Sequence, residues 1–156
     1  MGNGLLDPLQ VGVHRFNSTL TALLMLTDDI RVSIYEKITL LLMFDFSKAF
    51  DTISPVKLIR KMKNLGFSKI SLRWIASYLL GQRQRAVSKS GESKYLGTNL
   101  GVPQGSVLGP LLFCLYINDL QHHLNIQGVR YILYVDDLQI YVQIPADKIL
   151  EGIARL

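Results

Sequence analysis

VRYILYVDDLQIYVQI, residues 129–144, sets two short segments rich in Val, Ile, Leu and Tyr on either side of Asp136-Asp137. The second alternates: Leu138, Ile140, Val142 and Ile144 against Gln139, Tyr141 and Gln143, the period of a half-buried strand. Two such strands with a two-residue connection at Asp136-Asp137 make a hairpin, and Asp tolerates the backbone conformations a tight connection needs. Hairpin turns favour Asn-Gly or Asp-Gly, however, and here two carboxylates stand together without glycine. Adjacent like charges resist joint ionisation unless a cation lies between them. Alone, the pair is either an exposed acidic turn or a ligand set for a hard cation such as Mg²⁺.

A second stretch bears on that choice. Ile38 to Phe46, ITLLLMFDF, is an apolar run interrupted only by Thr39 and Asp45. It is too short to span a bilayer and reads as a central strand buried on both faces. An ionised carboxylate in such a strand is costly unless it is paired or bound to metal. One carboxylate from this strand and two from a neighbouring hairpin turn would form a three-aspartate site of the kind that drives phosphoryl or nucleotidyl transfer with two metal ions.

Three segments in order carry a resemblance. They are Phe44-Asp45-Phe46-Ser47-Lys48-Ala49-Phe50-Asp51-Thr52, then Gly101-Val102-Pro103-Gln104-Gly105-Ser106 with the apolar run to Phe113, then Tyr134-Val135-Asp136-Asp137. Together they resemble successive motifs of reverse transcriptases, and their order and spacing resemble the non-LTR (LINE-like) retrotransposon polymerases. Leu115-Tyr116-Ile117-Asn118-Asp119-Leu120 strengthens the likeness, which covers nearly the whole chain. Upstream, Gln10, Gly12, Ser18 and Thr19 match the family pattern, whereas Val13 and His14 stand where it has Phe and Arg. Arg15, one position on, is the candidate replacement near the incoming phosphates, although neighbouring side chains on an extended segment point to opposite faces.

The resemblance implies an α+β fold: a polymerase palm with an antiparallel sheet packed by helices on one face, plus part of the fingers region. Residues 1–156 would then be one partial reverse transcriptase domain, with the thumb and the first fingers strands absent. It implies RNA-directed DNA synthesis, in which a primer 3′-hydroxyl attacks a deoxynucleoside triphosphate on an RNA template. Asp45, Asp136 and Asp137 are the implied catalytic and metal residues, for two Mg²⁺ ions with Mn²⁺ as an alternative. Phe46, Phe50, Gln104, Gly105 and Arg15 are the implied substrate contacts. Phe50 corresponds to the family's steric gate under the nucleotide sugar; by its own chemistry it is equally a core aromatic. The rival functions are a catalytically silent retroelement relic that at most binds nucleic acid, and a Mg²⁺ nuclease.

Composition agrees with a folded domain, since 49% apolar and 19% charged residues in 156 suffice for one core. The net charge of +5 permits nucleic-acid binding. Its clusters, Lys57-Arg60-Lys61-Lys63, Lys69-Arg73 and Arg83-Arg85, are solvated helix faces or phosphate contacts. A single cysteine, Cys114, excludes an internal disulfide and fits a reducing compartment and core packing. The first residues lack the pattern of a signal peptide, so an intracellular location, nucleus or cytoplasm, is expected, with no membrane partner.

The remaining elements follow from caps and periodicity. Residues 1–17 read as loop. Ser18 caps a helix whose apolar positions Leu20, Leu23, Leu24, Thr27 and Ile30 repeat at helical spacing, and Asp28-Asp29 reads as a surface feature. Ser54-Pro55 starts a helix burying Leu58, Ile59, Met62 and Leu65 and ending at Gly66. Another runs from Ser71 to Gly81, with Trp74 expected in the core rather than as a base-stacking platform. Residues 82–100 read as a hairpin about Ser90-Gly91-Glu92, and Val107–Leu120 as an apolar helix with Pro110 in its first turn. His122-His123 does not complete a zinc site with Cys114 and reads as loop. Pro145 ends the last strand, and a helix follows it.

Overall fold

Ser18 opens the first helix as its side chain predicts: its Oγ accepts from the Thr21 amide, and the Thr21 hydroxyl accepts in return from the Ser18 amide. In this computed structural model, residues 6–13 and 17–156 are described; the expectations for His14 and Arg15 lie outside them. The chain divides into two compact units, Met1–Ser47 with Ile117–Leu156, and Lys48–Tyr116.

The first unit is built on a three-stranded antiparallel sheet in the order β1 (Ile38–Asp45), β7 (Asp137–Ile144), β6 (Val129–Tyr134). The alternation in β7 sets its two faces. Leu138, Ile140, Val142 and Ile144 are all buried on one face, where Tyr131 and Leu133 of β6 join them. Ile117, α5 (Leu120–Leu124) and the C-terminal Leu156 cover this cluster. On the other face Ile132 and Tyr141 pack with Val11 and with Ala22 and Leu26 of α1 (Thr19–Ser33). Helices therefore cover both faces rather than one. His122 and His123 lie within α5, not in a loop.

Two expectations about burial fail for one reason. Apolar runs reveal affinity for a core, not which neighbours are present to cover them. Among the described residues β1 is not central but an edge strand, paired only with β7, and Leu41, Leu42, Met43 and Phe44 are exposed. In α1 the inward residues are Ala22, Leu26 and Ser33, while Leu20, Leu23 and Leu24 face outward. The small Ala22 lets the helix approach the sheet, and Asp29 then fixes it. The Asp29 carboxylate accepts from the Tyr141 hydroxyl and pairs with Arg130 at 2.7 Å, and the Gln143 amide donates to the Asp29 carbonyl at 2.7 Å. Asp29 is thus a clamp between helix and sheet, not a surface ornament.

The segment before α1 is more than loop. Gln10 forms a parallel bridge with Leu133, and the Leu133 amide donates to the Leu9 carbonyl at 3.0 Å. Asp7 is buried; its amide donates to Asn118 Oδ1, and its carboxylate accepts from the Leu9 amide and from the buried Tyr131 hydroxyl. Burial, together with that carboxylate, pushes the Tyr131 phenol well above its ordinary 10.0. At the far end α6 (Ile149–Arg155) lies with Gly152 against Ile144 and Leu40.

The second unit packs α2 (Pro55–Asn64) on α3 (Lys69–Leu79). Ser54 caps α2 with Pro55 in its first turn, and Leu58 and Met62 are fully buried. Ser68 rather than Ser71 caps α3, whose inward residues are Ile75 and Leu79; Trp74 is 56% exposed. The hairpin forms as two separate two-residue ladders, β2 (Arg83–Gln84) with β5 (Leu96–Gly97) and β3 (Val87–Ser88) with β4 (Gly91–Glu92). The apolar helix α4 (Gly109–Ile117) starts so that Pro110 falls in its first turn, and it buries Cys114; it stops short of Asn118-Asp119 instead of running through to Leu120.

The Asp29 clamp gives stability a pH dependence. Burial raises the Asp29 carboxyl, but hydrogen bonds from Tyr141 and Arg130 and the guanidinium charge outweigh it, leaving it below the ordinary 3.8. Stability from this group is therefore complete above 3.8 and is lost as pH falls through the lower folded value. Tyr141 is pushed up to about 12, so its share is present below 10 and lost as pH rises through about 12. Thermal melts from acid to neutral pH should show Asp29→Asn with lower stability at pH 7 and a flatter acid limb than wild type. Tyr141→Phe should cost about 0.5–1.5 kcal/mol at neutral pH, the net worth of a hydrogen bond to the half-buried Asp29, which keeps its Arg130 partner.

Candidate active site

The hairpin β6–β7 turns one residue earlier than the acidic pair suggests. Tyr134 pairs with Asp137, so the two connecting residues are Val135 and Asp136, and Asp137 is the first residue of β7. Val135 has φ 54°, a left-handed conformation that is costly for a β-branched side chain. The sequence hides this because Val is the residue least suited to such a position, so the acidic pair looks like the turn.

That offset decides where the carboxylates go. In the β1–β7 register Asp45 stands directly opposite Asp137, at the end of both strands. Directly opposed residues share a face, with Cβ atoms about 4.5–5.5 Å apart. This is the face that carries Gln139 and Tyr141 and on which α1 packs. Asp136 occupies the adjoining turn, half-buried, and its carbonyl accepts from the Phe46 amide at 3.4 Å, tying the end of β1 to the turn. Asp45 and Asp137 are exposed. The three aspartates thus gather at one end of the sheet, as two facing carboxylates and a neighbour. Among the described residues no three His, Cys, Asp or Glu side chains already close around one point. The donors fit a divalent ion, being hard oxygens from two strands and a turn that meet at a solvent-open edge.

The other expected residues separate into two groups. Phe46 turns its ring to the opposite face, against the cluster of Leu133 and Leu138. Phe50, Gln104 and Gly105 belong to the second unit. There Phe50 is half-buried, its ring 5.4 Å from Phe113 and tilted by 47°. The Gln104 amide donates to Asp51 Oδ1 at 2.8 Å. The loop that carries Gln104 is laced to the segment that carries Phe50: the Gly101 amide donates to Ile53, and the Val102 amide to the Phe50 carbonyl. Gly101 has φ 89°, and a Cβ there would lie 3.1 Å from the Asp51 Cα. Its lack of a side chain serves the chain's own close approach, whereas Gly105 faces open space. A cleft of about 630 Å³ in this unit is lined by Lys48, Asp51, Arg83, Thr98, Gly101 and Gln104.

Gly12 is a site residue that pattern-matching records but does not explain. A Cβ on it would lie 2.8 Å from Val135 Cγ2 and 3.0 Å from the Val135 backbone nitrogen. The segment at 7–13 therefore leans on the strained turn that presents Asp136, and only glycine fits. Gly12→Ala should lower stability by about 1–3 kcal/mol, because the obstacle is backbone and a stiff branched side chain. Val135→Gly, which removes that side chain and suits the left-handed φ, should recover part of the loss; a double-mutant cycle by chemical denaturation measures the coupling, expected to exceed about 0.5 kcal/mol.

Comparison with known proteins identifies the family and the fold. The family model described as reverse transcriptase (RNA-dependent DNA polymerase) matches residues 4–155. A probable RNA-directed DNA polymerase from the transposon X-element of Drosophila melanogaster is 41% identical over 80 residues, which is 51% of this chain and 9% of that protein. The chain thus spans a small part of the length of this relative. Among solved structures, telomerase from Candida albicans, in complex with a fragment of telomeric RNA, superposes with a TM-score of 0.62 at 16% identity. The match covers 94% of this chain and 29% of that one. Apo telomerase from Candida tropicalis gives 0.60 at 18% identity, covering 88% of this chain and 31% of its own. These likenesses show a palm-like α+β polymerase fold, and with the match over residues 4–155 the chain belongs to the reverse transcriptase family.

Proposed function

We propose that this chain carries the nucleotidyl-transfer centre of a retrotransposon RNA-directed DNA polymerase, joining a deoxynucleoside triphosphate to a primer 3′-hydroxyl on an RNA template. The observation that carries the proposal is the register that opposes Asp45 and Asp137 with Asp136 in the adjoining turn. Carboxylates from two distant motifs meet at one sheet end, where burial alone gives no reason for them.

Asp45, Asp136 and Asp137 would hold two divalent ions, Mg²⁺ or Mn²⁺. Such ions, when bound, neutralise charge on the triphosphate and favour the ionised primer hydroxyl. The protein's own part is positional. The β1–β7 ladder fixes the separation of Asp45 and Asp137, and the Phe46-to-Asp136 hydrogen bond restrains the turn. The family resemblance assigns Gln104 and Gly105 to the incoming nucleotide and the template, and Arg15 to its phosphates. Phe46 acts through its backbone, since its ring is engaged in packing. Phe50 lies under the sugar and rejects a ribose 2′-hydroxyl by clash. Its contact with Phe113 gives that ring a fixed wall to lean on.

The test is primer extension on an RNA template with Mg²⁺ and dNTPs. Asp45→Asn and Asp136→Asn should each lower the rate about a thousandfold or more, because the shape is kept while the charge that holds metal is lost. Retention of a tenth of the wild-type rate by either variant rules out the metal assignment. A shortened primer would identify a nuclease, and an unchanged one a silent relic. Phe50→Val should raise ribonucleotide use relative to deoxyribonucleotide. Equal loss of both, with a lowered melting temperature, would make Phe50 a packing residue only.

A further inference from the structure

The charges of the two units are opposite in sign. Lys48–Tyr116 holds eleven of the chain's seventeen Lys and Arg but only two of its twelve Asp and Glu, Asp51 and Glu92, for a formal charge of +9. The other unit, with six basic and ten acidic residues, stands at −4. From Pro55 to Gly91, through all of α2 and α3, there is no carboxylate side chain at all. A solvated helix face normally mixes signs, so that ion pairs at i,i+4 support the helix. Nine consecutive charges of one sign forgo that support and repel one another.

Within this basic stretch α3 bears an outward apolar row at i,i+4 spacing: Ile70, 81% exposed, Trp74, 56% exposed, and Tyr78, half-buried. The Trp74 and Tyr78 rings are stacked, 5.8 Å between centroids and 2° from parallel. Tyr78 thereby holds the indole in one orientation while leaving over half its surface in water. Lys69 and Arg73, both exposed, form the neighbouring row. A pre-oriented aromatic surface beside a row of cations is what unpaired nucleic acid requires. A base stacks on the ring, since every base has a π-face, and the backbone phosphates meet the cations. Duplex buries its base faces and has no use for the ring. An apolar protein surface would cover the ring but offer no counter-charge to Lys69 and Arg73 beside it.

We propose that α3 is a binding platform for single-stranded nucleic acid, with Trp74 as the base-stacking residue, Tyr78 as its support, and Lys69 and Arg73 as phosphate contacts. The platform lies in a different unit from the aspartates and stands without the polymerase assignment.

Trp74 is the only tryptophan in the chain, so its fluorescence reports on the proposed contact alone. The whole chain is titrated, without metal or dNTP, with a mixed-sequence single-stranded RNA of about 15 nucleotides, within the usual range of single-strand sites. The same RNA as duplex, and polyglutamate, serve as controls. Fluorescence should be quenched by the single strand and not by polyglutamate, and the duplex should bind at least about tenfold more weakly. By anisotropy of labelled RNA, Trp74→Ala should weaken binding about ten- to a hundredfold and Trp74→Phe by only a few-fold. Lys69→Gln and Arg73→Gln should each flatten the salt dependence by about 0.7 in slope. The titration contains neither metal nor dNTP, which separates this result from any failure of catalysis. Melting temperatures of the exposed-site variants should stay near wild type. Undiminished binding by Trp74→Ala, equal affinity for duplex, equal quenching by polyglutamate, or no binding at about 0.05 M salt would each overturn the proposal.

Discussion

Everything at the candidate site depends on the pairing register of β1 on β7. Side chains alternate across a strand with a period of two, so a slip of one residue would pair Asp45 with Leu138 and leave Asp137 on the face away from Asp45. The Phe46 amide, donating to the Asp136 carbonyl, ties the end of β1 to the turn, and four features hold β7 itself in place. The two-residue turn at Val135-Asp136 limits the freedom of β7 against β6. The unbroken alternation of Leu138, Ile140, Val142 and Ile144 ties one face to the core. Asp29 clamps Tyr141 from above, and the segment at 7–13 supports the turn from the side. The carboxylates are thus placed by residues that take no part in chemistry.

Much of this was legible in the chain. The hairpin at 129–144, the caps at Ser18 and Ser54 and the convergence of Asp45 with the acidic pair all follow from local rules of period, capping and charge. What escaped was of another kind. Trp74 and Leu20, Leu23 and Leu24 look like core because apolarity is local, whereas cover is supplied by segments far along the chain. For β1 the same ambiguity converts an edge into an apparent centre. Asp29 looked decorative because its partners, Tyr141 and Arg130, lie about a hundred residues away, and no spacing rule links them. The turn was misjudged by one residue because Val135 adopts a conformation its own chemistry disfavours. Strain of that sort persists only where the surroundings over-determine it, and Gly12 and Phe46 are those surroundings.

The division of charge gives the two units different tasks at long range. Counterions gather around a region of +9 and leave when a polyanion replaces them, so encounter with nucleic acid is favoured there. The acidic unit does the reverse, repelling phosphate except where a cation intervenes. Within the basic unit, the Gln104–Asp51 bond and the Gly101 contact keep the loop at 101–105 in order.

The exposed edge of β1 carries a cost of its own. Natural sheets guard their edges with lysine, proline or a bulge, and none of these interrupts Ile38–Phe44. An unguarded ladder of amide and carbonyl groups, flanked by leucines, is a template for any extended chain it meets, a second molecule included. Such encounters grow with the square of concentration, whereas closing of the chain on itself does not depend on concentration.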